Sequence, residues 1–295
     1  MGKSVLVTGA SSGFGLLASV RLARTGWEVF AGVRDPSRAG ELLTAAEAAG
    51  VQGRVRIVRL DVTSRDDAEA AVREMVAACG RVDAVVCNAG IAVGGFAEEV
   101  PLQRWREQFE TNVFGAVAVA GAAIPAMRRQ RSGRIVLVGS ISGKIGFPGL
   151  APYSASKHAL EGLGESWRLE LAPFGIRVSL VEPGAYRTPI WSKSLDASAL
   201  PKPESPYARI YERLKPLLER SATSGGDPER VAAVIARALT DRRPKLRYVP
   251  GAGERLTLLA KSALPWSWIE RYVSRMLGAV DPGGPGVPAE REEQA

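Results

Sequence analysis

The sequence predicts an α/β protein built on a doubly wound parallel sheet of the Rossmann type, with a helical C-terminal extension. Short runs rich in valine and isoleucine alternate with helix-like segments between Ser4 and Val181, which is the pattern of parallel sheets covered by helices on both faces. A glycine-rich turn follows the first run, at the place where such folds bind nucleotides. We therefore expect one domain over residues 1–280.

The individual elements follow in chain order. Strands are predicted at Ser4–Thr8, Trp27–Val33, Val55–Leu60, Val82–Cys87, Arg134–Gly139, Arg177–Val181 and Arg247–Pro250. The spacing of apolar residues predicts helices at Leu16–Thr25, Glu41–Ala49, Ser64–Cys79, Leu102–Arg129, Tyr153–Leu171, Tyr207–Leu218 and Asp227–Leu239, and within residues 254–278. The Gly-, Pro- and Glu-rich residues 281–295 are expected to be disordered.

Composition excludes several classes of protein. The 295 residues are 46% hydrophobic and 24% charged, as in soluble globular chains and unlike disordered ones. No apolar run suggests a transmembrane helix, and the N-terminus lacks the pattern of a secretory signal. Cys79 and Cys87 form no disulfide framework or metal-ligand cluster, so we expect a cytoplasmic protein without a metal.

The net charge of +8 has a simple interpretation. Lysine and arginine are scattered among acidic residues, and no basic stripe with interleaved aromatic residues is present. The charge therefore favours solubility and one anionic ligand over nucleic-acid binding.

The loop Thr8–Gly15 suggests what that ligand is. Glycines after the first strand permit a tight turn and let the backbone approach a pyrophosphate at the positive N-terminus of the following helix. A merely flexible loop is the alternative, but its position between strand and helix favours a dinucleotide site.

A second group of residues is suited to acid–base chemistry. Tyr153 and Lys157 lie one turn apart on a predicted helix and therefore share a face. A nearby ammonium favours phenolate, so we expect Lys157 to lower the pKa of Tyr153. Ser140, at the end of a predicted strand, is placed to orient a reacting oxygen, with Ser142 as its rival.

Together these motifs resemble the short-chain dehydrogenase/reductase family, over roughly residues 3–190. The strand Trp27–Arg34 and the extended tail look like its hydroxysteroid and retinol dehydrogenase members. The motifs occur in chain order: Thr8–Gly15 with its G-x-x-x-G-x-G spacing, Asp61-Val62, Asn88-Ala89-Gly90, Asn112, Ser140, Tyr153-x-x-x-Lys157 and Pro183-Gly184. The resemblance implies an NAD(P)-dependent oxidoreductase with Tyr153 as general acid/base.

The resemblance also implies roles for individual residues. Asp61 and Val62 would hold the adenine, and the segment Asn88–Gly90 would line the cofactor. Pro183, Gly184 and Thr188 would flank the nicotinamide carboxamide. Lys157 would hold the ribose hydroxyls, while Asn112 would sustain a water-linked proton relay with it. Further cofactor contacts are expected from Gly9, Ser11, Ser12, Gly13, Phe14, Gly15, Ala89, Gly90 and Tyr153. A helix cap at Asp61 and a turn residue at Asn88 are the structural alternatives.

The end of the second strand predicts the form of the cofactor. An acidic residue there would bind the ribose hydroxyls of NAD, but the sequence has Val33 followed by Arg34. Arg34 can pair with a 2′-phosphate, with Ser12 and the weaker candidate Arg38 nearby. We therefore expect NADP(H) to be preferred over NAD(H), although Asp35 complicates this prediction.

The C-terminal third is predicted to form the substrate side. Residues 188–225 are expected to be a lid over the site, and the resemblance implies an apolar alcohol or carbonyl substrate. Residues 254–278 have three interpretations: packing in the core or lid, an oligomer face, or a weak contact with a membrane surface. The family resemblance also implies a homodimer or homotetramer formed through the helices bearing Asn112 and Tyr153.

Other functions fit the sequence less well. A non-catalytic NADP(H)-binding regulatory protein of the same fold is the main alternative, although such proteins typically lack the tyrosine or the lysine. An epimerase or dehydratase would carry a larger C-terminal domain. A Ser/His/Asp hydrolase would have to use His158, the only histidine, and the sequence has no G-x-S-x-G motif.

Overall fold

The fold was analysed in a computed structural model that describes residues 2–190, 201–223 and 225–278. The predicted disordered segment 281–295 and residues 191–200 of the predicted lid lie outside the described residues.

One parallel sheet forms the centre of the molecule. Its strands are β1 (Ser4–Thr8), β2 (Glu28–Val33), β3 (Val55–Arg59), β4 (Ala84–Cys87), β5 (Gly133–Val138), β6 (Ile176–Val181) and β7 (Arg247–Tyr248). They lie in the order β3-β2-β1-β4-β5-β6-β7, and every pair is parallel. The chain reverses its direction of winding between β1 and β4, and a ligand crevice is expected at the carboxyl ends of these strands. The predicted doubly wound sheet is confirmed.

Helices cover both faces of this sheet. They are α1 (Gly13–Arg24), α2 (Gly40–Ala48), α3 (Arg65–Cys79), α4 (Leu102–Phe109), α5 (Gly115–Gln130), α6 (Ala151–Glu170), α7 (Ala208–Thr223), α8 (Glu229–Thr240), α9 (Ala252–Ala263) and α10 (Trp266–Leu277). Short 3-10 turns occur at Pro36–Ala39, Gln52–Arg54, Ala97–Glu99, Ile141–Gly143 and Ala172–Phe174.

The core has two layers, one on each side of the sheet. In β1, Val5 and Val7 join the layer that contains Leu22 of α1 and Ile235 of α8. Leu6 points to the opposite layer, which α3, α5 and α6 cover. Successive strand residues point to opposite faces, so a strand buried on both faces has to be apolar throughout.

The predicted helix Leu102–Arg129 contains an interruption. A π-helical turn at Glu110–Phe114 joins α4 to α5, and no sequence pattern predicted it. The segment Leu102–Gln130 is long and apolar enough to cross a membrane by length and composition alone. However, Val119, Ala123 and Met127 are buried in the core, which is the packing of a helix covering a sheet.

The C-terminal region also differs in detail. Strand β7 is shorter than predicted, and the helical region 254–278 is two helices joined at Leu264-Pro265. Proline cannot donate the backbone hydrogen bond that would continue a helix, which explains the break. Neither α9 nor α10 contains a buried residue. Packing in the core is therefore not supported, while packing as part of a lid, the other half of the same interpretation, remains a prediction.

Candidate active site

The turn between β1 and α1 requires glycine at several positions. Gly9 and Gly13 have φ values of +64° and +56°, a region that side-chain-bearing residues rarely adopt. A Cβ on Gly9 would lie 2.9 Å from Ala89 Cα, and one on Gly15 would overlap the Gly9 carbonyl. The loop is therefore packed tightly against the end of β4. Gly9 and Gly13 also line a cleft, where the absence of side chains leaves the loop backbone accessible.

Thr8 and Asn88 hold this loop in place. The Thr8 hydroxyl accepts hydrogen bonds from the backbone N–H groups of Asn88 and Ala89, each at 2.9 Å. In return, Asn88 Nδ2 donates to the carbonyls of Thr8 (2.9 Å) and Gly9 (3.3 Å). The Asn88 amide thus braces the glycine loop, a role that the sequence reasoning did not assign. The sequence motif marks Thr8 only as the first residue of the glycine-rich loop.

A cleft of about 640 Å³ runs along the carboxyl ends of the strands from this loop. Most of the residues predicted to contact a cofactor line it: Gly9, Ser11, Ser12, Gly13, Phe14, Arg34, Asp61, Val62, Asn88, Ala89, Gly90, Tyr153, Lys157, Pro183, Gly184 and Thr188. Ser140 lines it as well. Gly15 and Asn112 are not in the lining, because Gly15 packs beneath Gly9 and Asn112 lies behind the wall.

After β2, the acidic side chain of Asp35 and the basic side chain of Arg34 take different positions relative to the cleft. Asp35 Oδ1 accepts hydrogen bonds from the backbone N–H and hydroxyl of Ser37, and its Oδ2 lies 3.6 Å from Arg38 Nε. These bonds, chiefly those from Ser37, lower the pKa of Asp35. Asp35 is not in the cleft lining, whereas the exposed Arg34 and the weaker candidate Arg38 both are.

Asp61 and Val62 form the next part of the wall. Asp61 Oδ1 accepts hydrogen bonds from the backbone N–H and the hydroxyl of Thr63, at 3.0 and 2.8 Å. The N-cap of α3 is Ser64, so the alternative interpretation of Asp61 as the helix cap is wrong. Val62 packs against Gly115, where a Cβ would approach the valine side chain to 2.7 Å.

Ser140, Tyr153 and Lys157 meet in the floor of the cleft. Ser140 follows β5 and accepts a hydrogen bond from the Ser142 backbone N–H at 3.1 Å, while its own hydroxyl lies 3.3 Å from the Pro183 carbonyl. It is also hydrogen-bonded to the Tyr153 side chain. Ser142, the rival candidate, is absent from the cleft lining.

Lys157 lies beneath the tyrosine on α6. Its Nζ donates to the Val138 carbonyl at 2.8 Å and lies 5.6 Å from the centre of the Tyr153 ring. Both side chains are buried. The arrangement places a hydroxyl donor and an ammonium beside one phenol.

Burial controls the ionisation of both groups. It raises the pKa of Tyr153 to about 12, against a smaller lowering by the hydrogen bond to Ser140. Burial also lowers the pKa of Lys157 to about 8. The expected net lowering of the Tyr153 pKa is not found in the arrangement described, because the desolvation of the phenolate is the largest effect there.

Asn112 occupies the π-helical turn behind this group. Its Oδ1 accepts from the Ile91 backbone N–H at 2.9 Å, and its Nδ2 donates to the Ile91 carbonyl (3.0 Å) and to Ser156 Oγ (3.2 Å). Its described contacts thus fix the segment after β4 and the start of α6. A water-linked relay with Lys157 remains a prediction.

A buried ionic network adjoins the site and was not foreseen. Glu161 lies one turn beyond Lys157 on α6, and Glu182 directly follows β6; their side chains are 6% and 1% exposed. Glu161 Oε2 lies 2.8 Å from Lys144 Nζ and 2.9 Å from Arg247 Nε, which is also 3.2 Å from Glu182 Oε1. Burial and the neighbouring Glu161 raise the pKa of Glu182 to about 8.

Tyr186 forms the opposite wall and was also missed. Its buried ring meets Phe14 edge-on at 5.9 Å and lines the cleft between Gly184 and Thr188. Burial and a hydrogen bond with Glu254 of α9 raise its pKa. A single tyrosine outside any motif gives no sequence signal, since only the fold brings it to Phe14.

His158 does not belong to this group. Its side chain is exposed, and its Nδ1 lies 2.9 Å from the Ser154 carbonyl one turn earlier. It is absent from the cleft lining, which gives no support to the hydrolase alternative.

Comparisons with known proteins agree with the geometry. Residues 3–199 match the family model described as short chain dehydrogenase. The uncharacterised oxidoreductase YusZ of Bacillus subtilis (strain 168) is 44% identical over 277 residues, covering 93% of this chain and 98% of that protein. The 3-ketodihydrosphingosine reductase of Bacteroides thetaiotaomicron is 34% identical, covering 94% and 98%. Human 17-beta-hydroxysteroid dehydrogenase type 1 is 38% identical, covering 83% and 76%.

Solved structures give the same result. A short-chain dehydrogenase from Streptomyces avermitilis superposes with a TM-score of 0.77 at 33% identity, covering 94% of this chain and 97% of that one. A short-chain dehydrogenase/reductase from Burkholderia phymatum in complex with NAD superposes with a TM-score of 0.76 at 25% identity, covering 97% and 98%. The resemblance drawn from the motifs is confirmed.

Proposed function

The chain belongs to the short-chain dehydrogenase/reductase family and is an NAD(P)-dependent oxidoreductase; we propose that it prefers NADP(H) and interconverts an apolar alcohol and a ketone or aldehyde. The observation that carries this proposal is the convergence of Ser140, Tyr153 and Lys157 in a cleft that begins at the glycine loop. The non-catalytic alternative lacks a comparable observation, because all three groups line one cleft, with Ser140 hydrogen-bonded to Tyr153 and Lys157 Nζ 5.6 Å from the centre of the tyrosine ring.

The cleft fits a dinucleotide. The bare backbone of the glycine loop at the N-terminus of α1 suits a pyrophosphate, and Asp61 and Val62 line the cleft beyond it, with Pro183 and Gly184 on the far side. When bound, NADP(H) supplies or accepts the hydride of the reaction.

Tyr153 is the proton donor and acceptor of the proposed reaction. With its pKa raised by burial, the phenol stays protonated at neutral pH and can give its proton to a carbonyl oxygen as that oxygen becomes an alkoxide. Ser140, already hydrogen-bonded to Tyr153, can donate to the same oxygen and hold it in place. In the direction of oxidation, the same phenol oxygen has to lose its proton before it accepts that of the alcohol.

The preference for NADP(H) rests on Arg34. Its exposed guanidinium lines the cleft, whereas the competing Asp35 carboxylate is engaged by Ser37 and Arg38. A 2′-phosphate beside Arg34 would gain a charge-assisted, bidentate contact.

Apolar side chains surround the Tyr153 ring, and we therefore propose an apolar substrate. The ring packs with Ala92 and Leu150 in a small cluster that Phe147 and Ile190 also join. Two of the relatives are named for a ketodihydrosphingosine and a hydroxysteroid, and we infer a hydrophobic carbonyl compound or alcohol of comparable character.

The predicted lid contributes contacts where it is described. Tyr207 stacks on Phe96 at 5.1 Å and its hydroxyl donates to Glu98 at 2.7 Å, so residues near 207 dock beside the turn at Ala97–Glu99. We propose that this segment covers the bound substrate, and that the enzyme acts in the cytoplasm as a homodimer or homotetramer.

Cofactor titration tests the proposal. Calorimetry of the purified protein is expected to show tighter binding of NADPH than of NADH. Arg34→Ala is expected to lower the affinity for NADPH about 10- to 100-fold and to leave the affinity for NADH unchanged. Arg24→Ala is the matched control, since it removes an exposed arginine outside the cleft lining, whereas Arg38 lines the cleft beside Arg34. Equal binding of both cofactors would contradict the NADP(H) assignment, and binding of neither would contradict the proposed function as a whole.

A further inference from the structure

The last two helices expose an unusual amount of apolar surface. More than half of the large exposed apolar side chains in the described chain lie on α9, α10 and their connection: Leu256, Leu259, Leu264, Trp266, Trp268, Tyr272 and Met276. Trp266 and Trp268 are each 62% exposed, and Tyr272 is 71% exposed. Contiguous exposed apolar surface of this kind indicates an interaction site.

These side chains are arranged beside positive charge. On α10, Trp268, Tyr272 and Met276 lie on successive turns and form one row, while Arg271 and Arg275 form the adjacent row. We call the surface formed by these two rows the α10 face.

The neighbouring helix has the same character. Leu256 and Leu259 of α9 are exposed, and Arg255 and Lys261 stand on the same helix. The acidic Glu254 is turned away from this surface, because its side chain lies against Gly184 and is hydrogen-bonded to Tyr186. Lys261, seven residues after Glu254, shares its inner side of α9. The positive charge of the outer surface therefore comes from Arg271 and Arg275, with Arg255 beside Leu259, where its guanidinium donates to the Val249 carbonyl.

We propose that α9 and α10 bind reversibly to the surface of a bilayer that contains anionic lipid. The Trp268–Tyr272–Met276 row would enter the boundary between headgroups and acyl chains, with Arg271 and Arg275 on the lipid phosphates. Tryptophan and tyrosine combine an apolar ring with a polar tip, which suits that boundary. The positive charge of this surface attracts an anionic membrane, whereas a second copy of the same cationic surface would be repelled. Charge therefore favours the membrane over self-association.

The position of the helices links this surface to the cleft. Glu254 on the inner side of α9 is hydrogen-bonded to Tyr186, and Tyr186 lines the cleft against Phe14. Membrane binding at the outer side would bring an apolar substrate close to the cleft. This last step rests on the proposed function, whereas membrane binding itself does not.

Vesicle binding by the full-length protein tests the proposal. The protein is expected to co-sediment with vesicles of phosphatidylcholine and phosphatidylglycerol. Salt is expected to weaken this binding, and vesicles of phosphatidylcholine alone are expected not to bind the protein. The pair Trp268→Ser/Tyr272→Ser is expected to lower the partition coefficient about tenfold or more, and Arg271→Gln/Arg275→Gln to lower it about fivefold per arginine.

Matched variants on other helices serve as controls. Leu43→Ser on α2 removes another exposed leucine, and Arg65→Gln/Arg73→Gln on α3 removes two exposed arginines; neither is expected to change vesicle binding. Absence of binding, or equal binding to both vesicle types, would overturn the proposal. Self-association in the absence of lipid that Trp268→Ser/Tyr272→Ser abolishes would instead assign the α10 face to a second copy. The assay contains no cofactor or substrate, so its failure would leave the proposed reaction untouched.

Discussion

Desolvation shifts the pKa values of Tyr153 and Lys157 in opposite directions. Burial disfavours the charged form of any group, so the phenol keeps its proton up to about pH 12 and the ammonium loses its proton near pH 8. At neutral pH the site therefore contains a protonated phenol beside a lysine that is mostly charged. This protonation state suits the donation of a proton to a carbonyl, which is the direction of reduction.

Replacing the phenol by a phenyl ring tests its role. Tyr153→Phe keeps the packing with Ala92 and Leu150 and removes only the hydroxyl, so NADPH binding is expected to change little. Steady-state reduction of apolar ketones is expected to slow by about 10²- to 10⁴-fold in kcat. Tyr272→Phe, which removes the hydroxyl of an exposed tyrosine outside the cleft lining, is the control. A Tyr153→Phe enzyme as fast as the wild type would exclude Tyr153 as the general acid.

At the scale of the element, one face of α6 carries both the chemistry and its support. Tyr153, Lys157 and Glu161 follow one another at one-turn intervals, and the last of them meets Glu182 at the end of β6. Glu161 Oε1 and Glu182 Oε1 are both buried, Glu182 Oε1 lies 3.2 Å from Arg247 Nε, and a hydrogen bond between the two carboxyls helps to raise the pKa of Glu182. A single proton shared by the two carboxyls would join these oxygens and connect α6 to the segment after β6 that contains Pro183.

The stability of the protein should report this proton. Glu182 keeps a proton to about pH 8 in the folded state, against an ordinary value of 4.5. The folded state therefore binds more protons than the unfolded state between these values, and the free energy of unfolding falls as the pH rises through this window. Glu182→Gln cannot lose a proton. The test therefore compares the free energy of unfolding of Glu182→Gln with that of the wild type, measured by urea unfolding at pH 5 and at pH 8. The difference between the two proteins is expected to shift in favour of the variant by about 1–3 kcal/mol from pH 5 to pH 8.

Glu165→Gln provides the control for this measurement. Glu165 contacts the same Arg247 but is 55% exposed, and Arg247 lowers its pKa. The Glu165 carboxylate stabilises the folded protein above this lowered pKa, and that stabilisation is lost only as the pH falls through it. Glu165→Gln is therefore expected to gain no stability relative to the wild type between pH 5 and pH 8. Parallel pH dependences for Glu182→Gln and the wild type would disprove the shared proton.

The sequence predicts contiguous elements better than contacts between distant ones. Apolar runs and helical spacing located β1 to β6 because each pattern is contained in one short segment. The π-helical turn at Glu110–Phe114 and the pairing of Glu161 with Glu182 depend on residues brought together by the sheet, and neither has a local signature. Thr8 and Asn88 show the same limit, since their mutual bracing exists only where β1 and β4 are neighbours.

At the scale of the whole molecule, the first two thirds and the last third differ in predictability. Up to Thr188, motifs of known spacing accompany each strand, and almost all the residues predicted to line the cleft do so. Beyond it, apolar periodicity predicted helices in 254–278 but left their burial open. Amphipathic helices that pack on a core and those that face a partner have the same pattern, so only the exposure of Trp268 and Tyr272 distinguishes them.

The predicted homo-oligomer has a candidate surface of its own, distinct from the α10 face. Phe114 at the end of the π-helical turn is 54% exposed, Val117 at the start of α5 is 37% exposed, and Leu169 near the end of α6 is 75% exposed. These elements belong to the two helices that the family resemblance assigns to subunit pairing, and α6 packs against the π-helical turn that carries Phe114. Pairing two copies here would remove apolar side chains from water without covering the cleft residue Arg34. Arg34 directly follows β2, which β1 separates from β4 and β5.

Light scattering over a range of protein concentrations tests this arrangement. The wild type is expected to form a dimer or tetramer, and Leu169→Asp to shift it towards the monomer, because a buried unpaired carboxylate in each half of a symmetric interface opposes association. In an isolated monomer the same substitution would be harmless, since the side chain is in water. Leu43→Asp on α2, another exposed leucine, is expected to leave the mass unchanged. A wild type that stays monomeric at every concentration would show that α5 and α6 are not an interface, and the acid–base site would then be complete within one chain.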